Sequence, residues 1–239
     1  MASGIIAKIS QWADDTLGMV WPRQCPVCGK SLIHGERLMC LQCAIEMPRT
    51  GLHLQDFSVI HQRLAGKTPI ARGAALFYYY SGNPYTRLIH DAKYNGHPWI
   101  ARELASIYAE ELTADGFFDG IDMIIPVPLH PLKRMRRGYN QTEYIAEGLH
   151  RVTGLPVAHC LRMSRQHGSQ TRLGAYARWL NSRATYQATH TETLHGHHVL
   201  VVDDVLTTGA TLLSCCQAIH EEAPTATVSV LTLGLTHMR

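Results

Sequence analysis

Two adjacent carboxylates, Asp203 and Asp204, directly follow a short apolar run, Val199 to Val202. Such a run is typical of a strand buried on both faces of a parallel sheet. A stretch of small and hydroxyl-bearing residues comes next and leads into a helical pattern. It consists of Thr207, Thr208, Gly209, Ala210 and Thr211, here called the threonine loop. Backbone N–H groups and hydroxyls at a helix N-terminus can bind a phosphate group.

The position of the two carboxylates predicts what they bind. Ligands of open α/β sheets lie at the carboxyl ends of the strands, which is where Asp203 and Asp204 are expected. Carboxylates there can accept hydrogen bonds from ribose hydroxyls or hold Mg²⁺. The stretch therefore predicts a sugar-phosphate site. The alternative is a core strand followed by an ordinary turn, and two adjacent acids after the strand disfavour it.

Four cysteines form the second chemical motif: Cys25, Cys28, Cys40 and Cys43. Two Cys-x-x-Cys pairs separated by a short spacer supply four thiolates for a tetrahedral Zn²⁺. Because protein would fill all four positions, the predicted site is structural rather than catalytic. The alternative is a redox pair or chance spacing. Small zinc modules contact nucleic acid or protein, and this motif does not distinguish the two.

Charge is unevenly distributed along the 239 residues, although the net charge is only +3. Residues 126–183 contain ten Lys or Arg and two acids, whereas the remainder contains twelve Lys or Arg and seventeen acids. This basic middle favours a polyanionic ligand, either pyrophosphate or nucleic acid. A solvated basic face is the alternative.

The N-terminus indicates a cytoplasmic protein. Polar residues, including Lys8 and Asp14, interrupt the apolar core that a signal peptide needs. The pattern of Ile5, Ile9 and Trp12 indicates a short amphipathic helix, and we expect no membrane span. In the cytoplasm, seven cysteines are thiols or metal ligands rather than disulfides.

The pattern predicts three segments. Residues 1–50 form the N-terminal helix and the zinc module, residues 51–70 form a polar linker, and residues 71–239 form an α/β domain. In the third segment, a proline-rich loop (Pro126 to Pro131) follows a predicted strand and precedes four cations. Residues 162–183 fit either a mobile active-site flap or an amphipathic surface helix.

The order of these motifs resembles the ComF family, also called GntX, of competence-associated phosphoribosyltransferase-like proteins. The resemblance covers nearly the whole chain after about residue 22. VLVVDDVLTTGAT matches the signature for phosphoribosyl pyrophosphate (PRPP) in type I phosphoribosyltransferases, and Lys93, the Pro-Val-Pro loop and the RRGYNQ stretch stand in the family's order. The resemblance implies an α/β fold with a parallel sheet flanked by helices, a small hood and an N-terminal zinc module with four cysteine ligands. It also implies a role in natural transformation. The implied partners are single-stranded DNA and the proteins of competence and recombination.

The resemblance also assigns roles to residues. Asp203 and Asp204 would hold the ribose and its Mg²⁺, and the threonine loop would hold the 5′-phosphate. Pyrophosphate would lie against the loop formed by Pro126, Val127 and Pro128. Three side chains would close over the site: Arg137, Gln170 and Arg178. Tyr186 stands where the family usually has Phe, and the flap is somewhat longer than the family pattern.

Three hypotheses about function remain open at this point. The first is transfer of phosphoribosyl from PRPP to an unknown acceptor, with Asp203, Asp204, Arg137 and Arg178 as the catalytic groups. The second is a PRPP sensor without turnover. The third is an adaptor for single-stranded DNA. No motif identifies an acceptor, so binding of PRPP is better supported than turnover.

Overall fold

The apolar run before the two carboxylates forms a strand, as predicted, and the computed structural model extends it from His198 to Leu206. The structure describes residues 23–64, 68–164 and 185–237. Gln170, Arg178 and most of the predicted flap lie outside the described residues, as does the predicted N-terminal helix. The chain divides into two compact units, Met1–Met47 and Pro48–Arg239.

The described helices and strands are as follows. The helices are α1 (Leu41–Glu46), α2 (Val59–Leu64), α3 (Thr86–Tyr94), α4 (Trp99–Ala114), α5 (Pro131–Arg137), α6 (Gln141–Thr153) and α7 (Ala210–Glu222). The strands are β1 (Gly73–Tyr79), β2 (Met123–Pro126), β3 (Leu161–Ser164), β4 (Thr185–Ala188), β5 (His198–Leu206) and β6 (Thr227–Thr236). No described helix is both long enough and apolar enough to cross a membrane.

Four of these strands form a parallel sheet in the order β1-β6-β5-β2. Val199, Leu200, Val201 and Val202 of the β5 strand are fully buried. Because side chains alternate along a strand, Val199 and Val201 face one side of the sheet and their neighbours face the other. A strand with apolar residues on both faces requires cover on both sides, which explains the parallel arrangement.

Helices cover both faces of the sheet. On one face, Val199 and Val201 belong to the same buried cluster as Cys215 and Ile219 of α7. On the other face, α6 contacts β2 and β5 and also lies against α4. The approach of α6 to α4 is close because Gly148 has no side chain, and a Cβ there would overlap the carbonyl oxygen of Arg102. The predicted fold class, a parallel sheet flanked by helices, is confirmed.

Part of the predicted linker, residues 51–70, is folded onto this sheet instead. Ile60 and Leu64, one helical turn apart on α2, are fully buried, and Leu52 is nearly so. All three belong to the cluster on the α7 face. The polar residues between these positions obscured the helical spacing in the sequence.

Two further elements follow the proline-rich loop. The cationic stretch after the proline-rich loop is the helix α5, which begins where His130 Nδ1 accepts a hydrogen bond from Leu132 N at 3.2 Å. Val157 forms a single parallel bridge with Ile124. The chain then turns into the antiparallel β3–β4 pair, which flanks the predicted flap.

Candidate phosphoribosyl site and cysteine cluster

The two predicted carboxylates lie near the carboxyl end of β5, where Asp203 pairs with Thr232 of β6. Since they are consecutive, their side chains point to opposite faces of the sheet. Asp204 points toward α3 and α6, where its partners lie. Asp203 shares the α7 face with Val201 and accepts a hydrogen bond from Asp204 N at 2.8 Å. Each carboxylate therefore has its own environment.

Asp204 is the centre of a buried polar network and is only 7% exposed. Lys93 Nζ lies 2.9 Å from one carboxylate oxygen, and Gln141 Nε2 donates to the other at 2.6 Å. Burial alone would lower the pKa of Lys93, but the charge and hydrogen bond of Asp204 outweigh it and raise that pKa. Lys93 is therefore a cationic partner that holds the side chain of Asp204 in place.

This pairing predicts a stability effect for Lys93→Met. Removing the cation leaves the Asp204 carboxylate buried without its counter-ion, so the free energy of unfolding should fall by about 3 to 5 kcal/mol. The double variant Lys93→Met/Asp204→Asn removes both charges, and it should recover most of that loss. Urea unfolding of the three chains measures both effects. A single variant as stable as the wild type would show that the pair contributes nothing.

Asp203 has the opposite electrostatic character. Burial, followed by repulsion from Asp204, raises the pKa of Asp203 to about 7, and the Asp204 N–H and Lys93 only partly oppose this. The charge of Asp203 in turn contributes to raising the pKa of the Tyr186 hydroxyl, mainly an effect of burial. Asp203 is thus a carboxylate that the folded chain alone does not compensate, which is typical of functional sites.

The threonine loop leads from β5 into α7, as predicted. Thr207 and Thr208 are exposed, and Gly209 is in the left-handed conformation with φ of 83°. Thr208 Oγ1 accepts a long hydrogen bond from Ala210 N at 3.4 Å, and the first full helical bond joins Leu213 N to the Gly209 carbonyl at 2.8 Å. The first N–H groups of a thirteen-residue helix thus stand next to two exposed threonines.

The proline-rich loop is attached beside the carboxylates. Val127 N donates to the Val202 carbonyl at 3.0 Å, one residue before Asp203. The Val127 carbonyl accepts from Asn140 Nδ2 at 3.1 Å and from Thr142 Oγ1 at 2.6 Å. Val127 therefore has no free backbone donor, and Pro128 has no N–H. Contact of these two residues with PRPP stays a prediction, limited to their position at the edge of the site.

Arg137, a predicted catalytic cation, is connected to Asp204 indirectly. Its Nη1 donates to Gln141 Oε1 at 2.9 Å, and Gln141 in turn donates to Asp204. The guanidinium carbon also lies 4.7 Å from the centre of the Tyr94 ring. Arg178 is outside the described residues. The structure thus groups Asp203, Asp204 and the threonine loop closely, with Arg137 at the periphery.

The four motif cysteines converge in the first unit, within the described residues. Their Sγ atoms all lie within 4.8 Å of one another, and Cys28 Sγ is 3.6 Å from Cys40 Sγ. A tetrahedral zinc with Zn–S bonds of about 2.3 Å requires sulfurs about 3.8 Å apart. Three of the four thiols are buried, and only Cys28 is exposed. The donor set and its spacing therefore fit a structural zinc ion.

Glu36 organises the spacer between the two cysteine pairs. Its carboxylate accepts from Ile33 N and from Leu41 N, both at 2.8 Å. Its carbonyl accepts from Arg23 Nη2 at 3.2 Å. Leu41 directly follows Cys40 and begins α1, so Glu36 fixes the backbone that presents the second cysteine pair.

Three residues of the site were missed or left without a role by the sequence analysis. Lys93 and Gln141 were noted only as parts of a family pattern, although they hold Asp204. Arg63, from the supposed linker, contacts the threonine loop. A lysine in the last turn of a helix is ordinary, and Arg63 is far from the loop in the chain, so no sequence signal pointed to Lys93 or Arg63.

Comparison with known proteins places this site in a class. Residues 142–234, which include β5 and the threonine loop, match the phosphoribosyl transferase domain. Hypoxanthine phosphoribosyltransferase from Trypanosoma cruzi is 18% identical, with coverage of 57% of this chain and 64% of that one. Its TM-score of 0.34 is too low to carry an argument about the site. The parallel sheet and the domain match define a phosphoribosyltransferase fold.

Two curated relatives match more than half of the chain. DNA utilization protein YhgH from Escherichia coli O6:H1 is 29% identical over 217 residues, covering 87% of this chain and 88% of that protein. Competence protein F from Haemophilus influenzae is 30% identical over 134 residues, covering 54% of this chain and 58% of that protein. The domain match and these relatives together support a ComF-family phosphoribosyltransferase-like protein.

Proposed function

We propose that this chain binds PRPP together with Mg²⁺ in a competence-related role. The observation that carries the proposal is the pair Asp203 and Asp204 at the carboxyl end of β5, directly before the threonine loop and the α7 N-terminus. A ribose 5-phosphate needs hydroxyl acceptors and a phosphate site close to one another, and the stretch supplies both. The domain match and the relatives named for competence and DNA utilization support it.

Each part of the site has its own task in this proposal. The threonine loop and the first N–H groups of α7 bind the 5′-phosphate. Asp204, held in place by Lys93 and Gln141, accepts from a ribose hydroxyl, and Asp203 adds a second anionic acceptor. Carboxylates are ligands that Mg²⁺ prefers, and the ion would neutralise the pyrophosphate of PRPP.

We infer that the cysteine cluster holds a structural zinc ion. All four donors would come from the protein, so no position is left for a substrate. The segment around the cluster has few buried apolar residues, and binding of the metal would supply much of its folding free energy.

Transfer of phosphoribosyl is the further step that the fold could perform. The bond between ribose C1 and pyrophosphate breaks, a nucleophile of the acceptor bonds to C1, and the acceptor's proton goes to solvent or base. Asp203 and Asp204 lie where they could stabilise the positive charge that develops on the ribose. An assay of pyrophosphate release with PRPP and a panel of nucleobases, nucleosides and DNA tests this. Absence of release alongside tight PRPP binding would favour a sensor.

Single-stranded DNA is the second candidate ligand, and the surface of α5 favours it. No residue of α5 is buried, and its apolar side chains Leu132 and Met135 are 67% and 77% exposed. Arg134 is paired with Glu143, whereas Lys133 and Arg136 form no ion pair with any residue that the structure describes. Exposed cations without an ion-pair partner suit the phosphate backbone of a nucleic acid. Affinity for an oligonucleotide should then fall steeply with salt.

A further inference from the structure

Arg63 of α2 joins the threonine loop to the end of β6. Its Nη1 donates to the carbonyls of Leu206 and Thr207, at 3.1 and 2.6 Å. Its Nη2 donates to the carbonyl of Thr236. One guanidinium therefore binds three backbone carbonyls at the carboxyl ends of two adjacent strands.

The charge of Arg63 has no carboxylate partner among the described residues. Its acceptors there are neutral carbonyl and hydroxyl oxygens, including Thr236 Oγ1 at 3.4 Å. Its Nε is buried and has no hydrogen-bond partner in the described part of the chain. Burial lowers the pKa of Arg63, in keeping with a cation that the fold has partly desolvated. Burial of a cation without an anion nearby lowers the stability of the folded chain.

The neighbouring residue of α2 supports the same loop by packing. A Cβ built on Gly209 would lie 3.3 Å from Leu64 Cδ2 and 3.7 Å from Arg63 Cβ. Glycine suits both this close approach and the left-handed backbone at residue 209. The α2 helix is thus the platform on which the threonine loop rests.

We propose that Arg63 is a positioning residue for the phosphate group. Its hydrogen bonds hold the backbone of the threonine loop in place, and its charge makes the surroundings of the loop more positive. This role rests on the proposed function, because it assumes that the loop binds the ribose 5′-phosphate. By holding the carbonyls of Leu206 and Thr207, Arg63 turns their negative ends away from the ligand. The loop N–H groups then face the phosphate. The ligand's charge in turn compensates the guanidinium.

Arg63 lies next to only one of the two regions that would bind PRPP. Arg63 contacts the loop that would bind the 5′-phosphate and makes no described contact with the proline-rich loop. Ribose 5-phosphate and magnesium pyrophosphate therefore serve as separate probes. In Arg63→Met, affinity for ribose 5-phosphate should fall by at least about tenfold, while affinity for magnesium pyrophosphate should stay within about twofold.

Arg72 provides a matched control. Its Nη1 also donates to two backbone carbonyls, those of Phe117 and Asp119, at 2.7 and 2.8 Å. It directly precedes β1, at the opposite end of that strand from the candidate site. Arg72→Met should lose comparable backbone support and leave the affinity for both probes unchanged.

Calorimetric titration of the full-length, zinc-loaded chain with each probe tests the role of Arg63. Arg63→Lys keeps the charge but cannot span three carbonyls, so its affinity for ribose 5-phosphate should lie between those of the wild type and Arg63→Met. If Arg63→Met does not fold, Arg63→Lys is the variant that tests the proposal. Equal weakening of both probes, or none, in a folded Arg63 variant would overturn the role of Arg63 alone. A wild type that binds neither probe would overturn the proposed function and this role together.

Discussion

Asp203→Asn is expected to make the chain more stable at pH 8 and less able to bind magnesium PRPP. Burial, followed by repulsion from the charge of the adjacent residue Asp204, raises the pKa of this carboxyl from 3.8 to about 7. Asparagine keeps the acceptor oxygen that Asp204 N uses but carries no charge. Since a shift of one pKa unit corresponds to about 1.4 kcal/mol, we expect a gain of roughly 2 to 4 kcal/mol.

The sign of this effect defines its dependence on pH. Because the pKa of Asp203 is higher in the folded state, the folded chain keeps a proton between about pH 4 and pH 7 that the unfolded chain has released. This contribution therefore lowers the free energy of unfolding as the pH rises through that window. Asp203→Asn lacks this titrating group. Its free energy of unfolding should therefore equal that of the wild type near about pH 4 and exceed it by the full amount above about pH 7.

Urea unfolding of wild type and variant at several pH values measures the difference, and titration with magnesium PRPP measures binding. Loss of one charged acceptor should weaken binding by about 10- to 100-fold. The combination of higher stability with weaker binding is the signature of a functional site. A variant that is less stable than the wild type at pH 8 would contradict the burial-driven pKa of Asp203.

Cys43→Ser is expected to abolish stable zinc binding and to unfold the first unit around the cluster. Cys43 is buried, and its sulfur is within 4.8 Å of the other three. Structural zinc sites contribute about 10 to 16 kcal/mol in isolated zinc-finger peptides, so loss of one ligand is a large effect. We expect zinc affinity to fall by more than about 100-fold, beyond the loss typical of residues that only support the ligands.

Metal analysis after dialysis against a weak chelator tests this, together with limited proteolysis of residues 23–47. The matched control is Cys160→Ser, because Cys160 is a buried cysteine of the second unit. The cysteine cluster of this variant should keep its zinc. Full zinc content in Cys43→Ser would show that the cluster is not a four-thiolate site.

The strand, the paired acids and the cysteine motif could be predicted because each depends on local sequence. Four consecutive apolar residues require burial on both faces, and adjacent acids after them must lie at the sheet edge. The spacing of the cysteines likewise indicates a tetrahedral zinc site without any information from the rest of the chain. These features follow from residue type and short-range periodicity alone.

The partners of those residues could not be predicted in the same way. Lys93, Gln141 and Arg63 reach the site through tertiary packing, from helices far away in the sequence. The sequence of α2 predicts a linker because its few apolar residues stand among polar ones and give a weak helical pattern. Only contact with the sheet gives this helix a role. Side-chain networks of this kind depend on distances that sequence spacing does not encode.

Binding of PRPP at the Asp204 end of β5 is tested most directly by the double variant Lys93→Met/Asp204→Asn. Both buried charges are removed together, so the variant should stay folded, and urea unfolding verifies this. Calorimetric titration with PRPP and Mg²⁺ should then show affinity at least about 100-fold below that of the wild type. A folded double variant that binds magnesium PRPP as tightly as the wild type would contradict binding at this site.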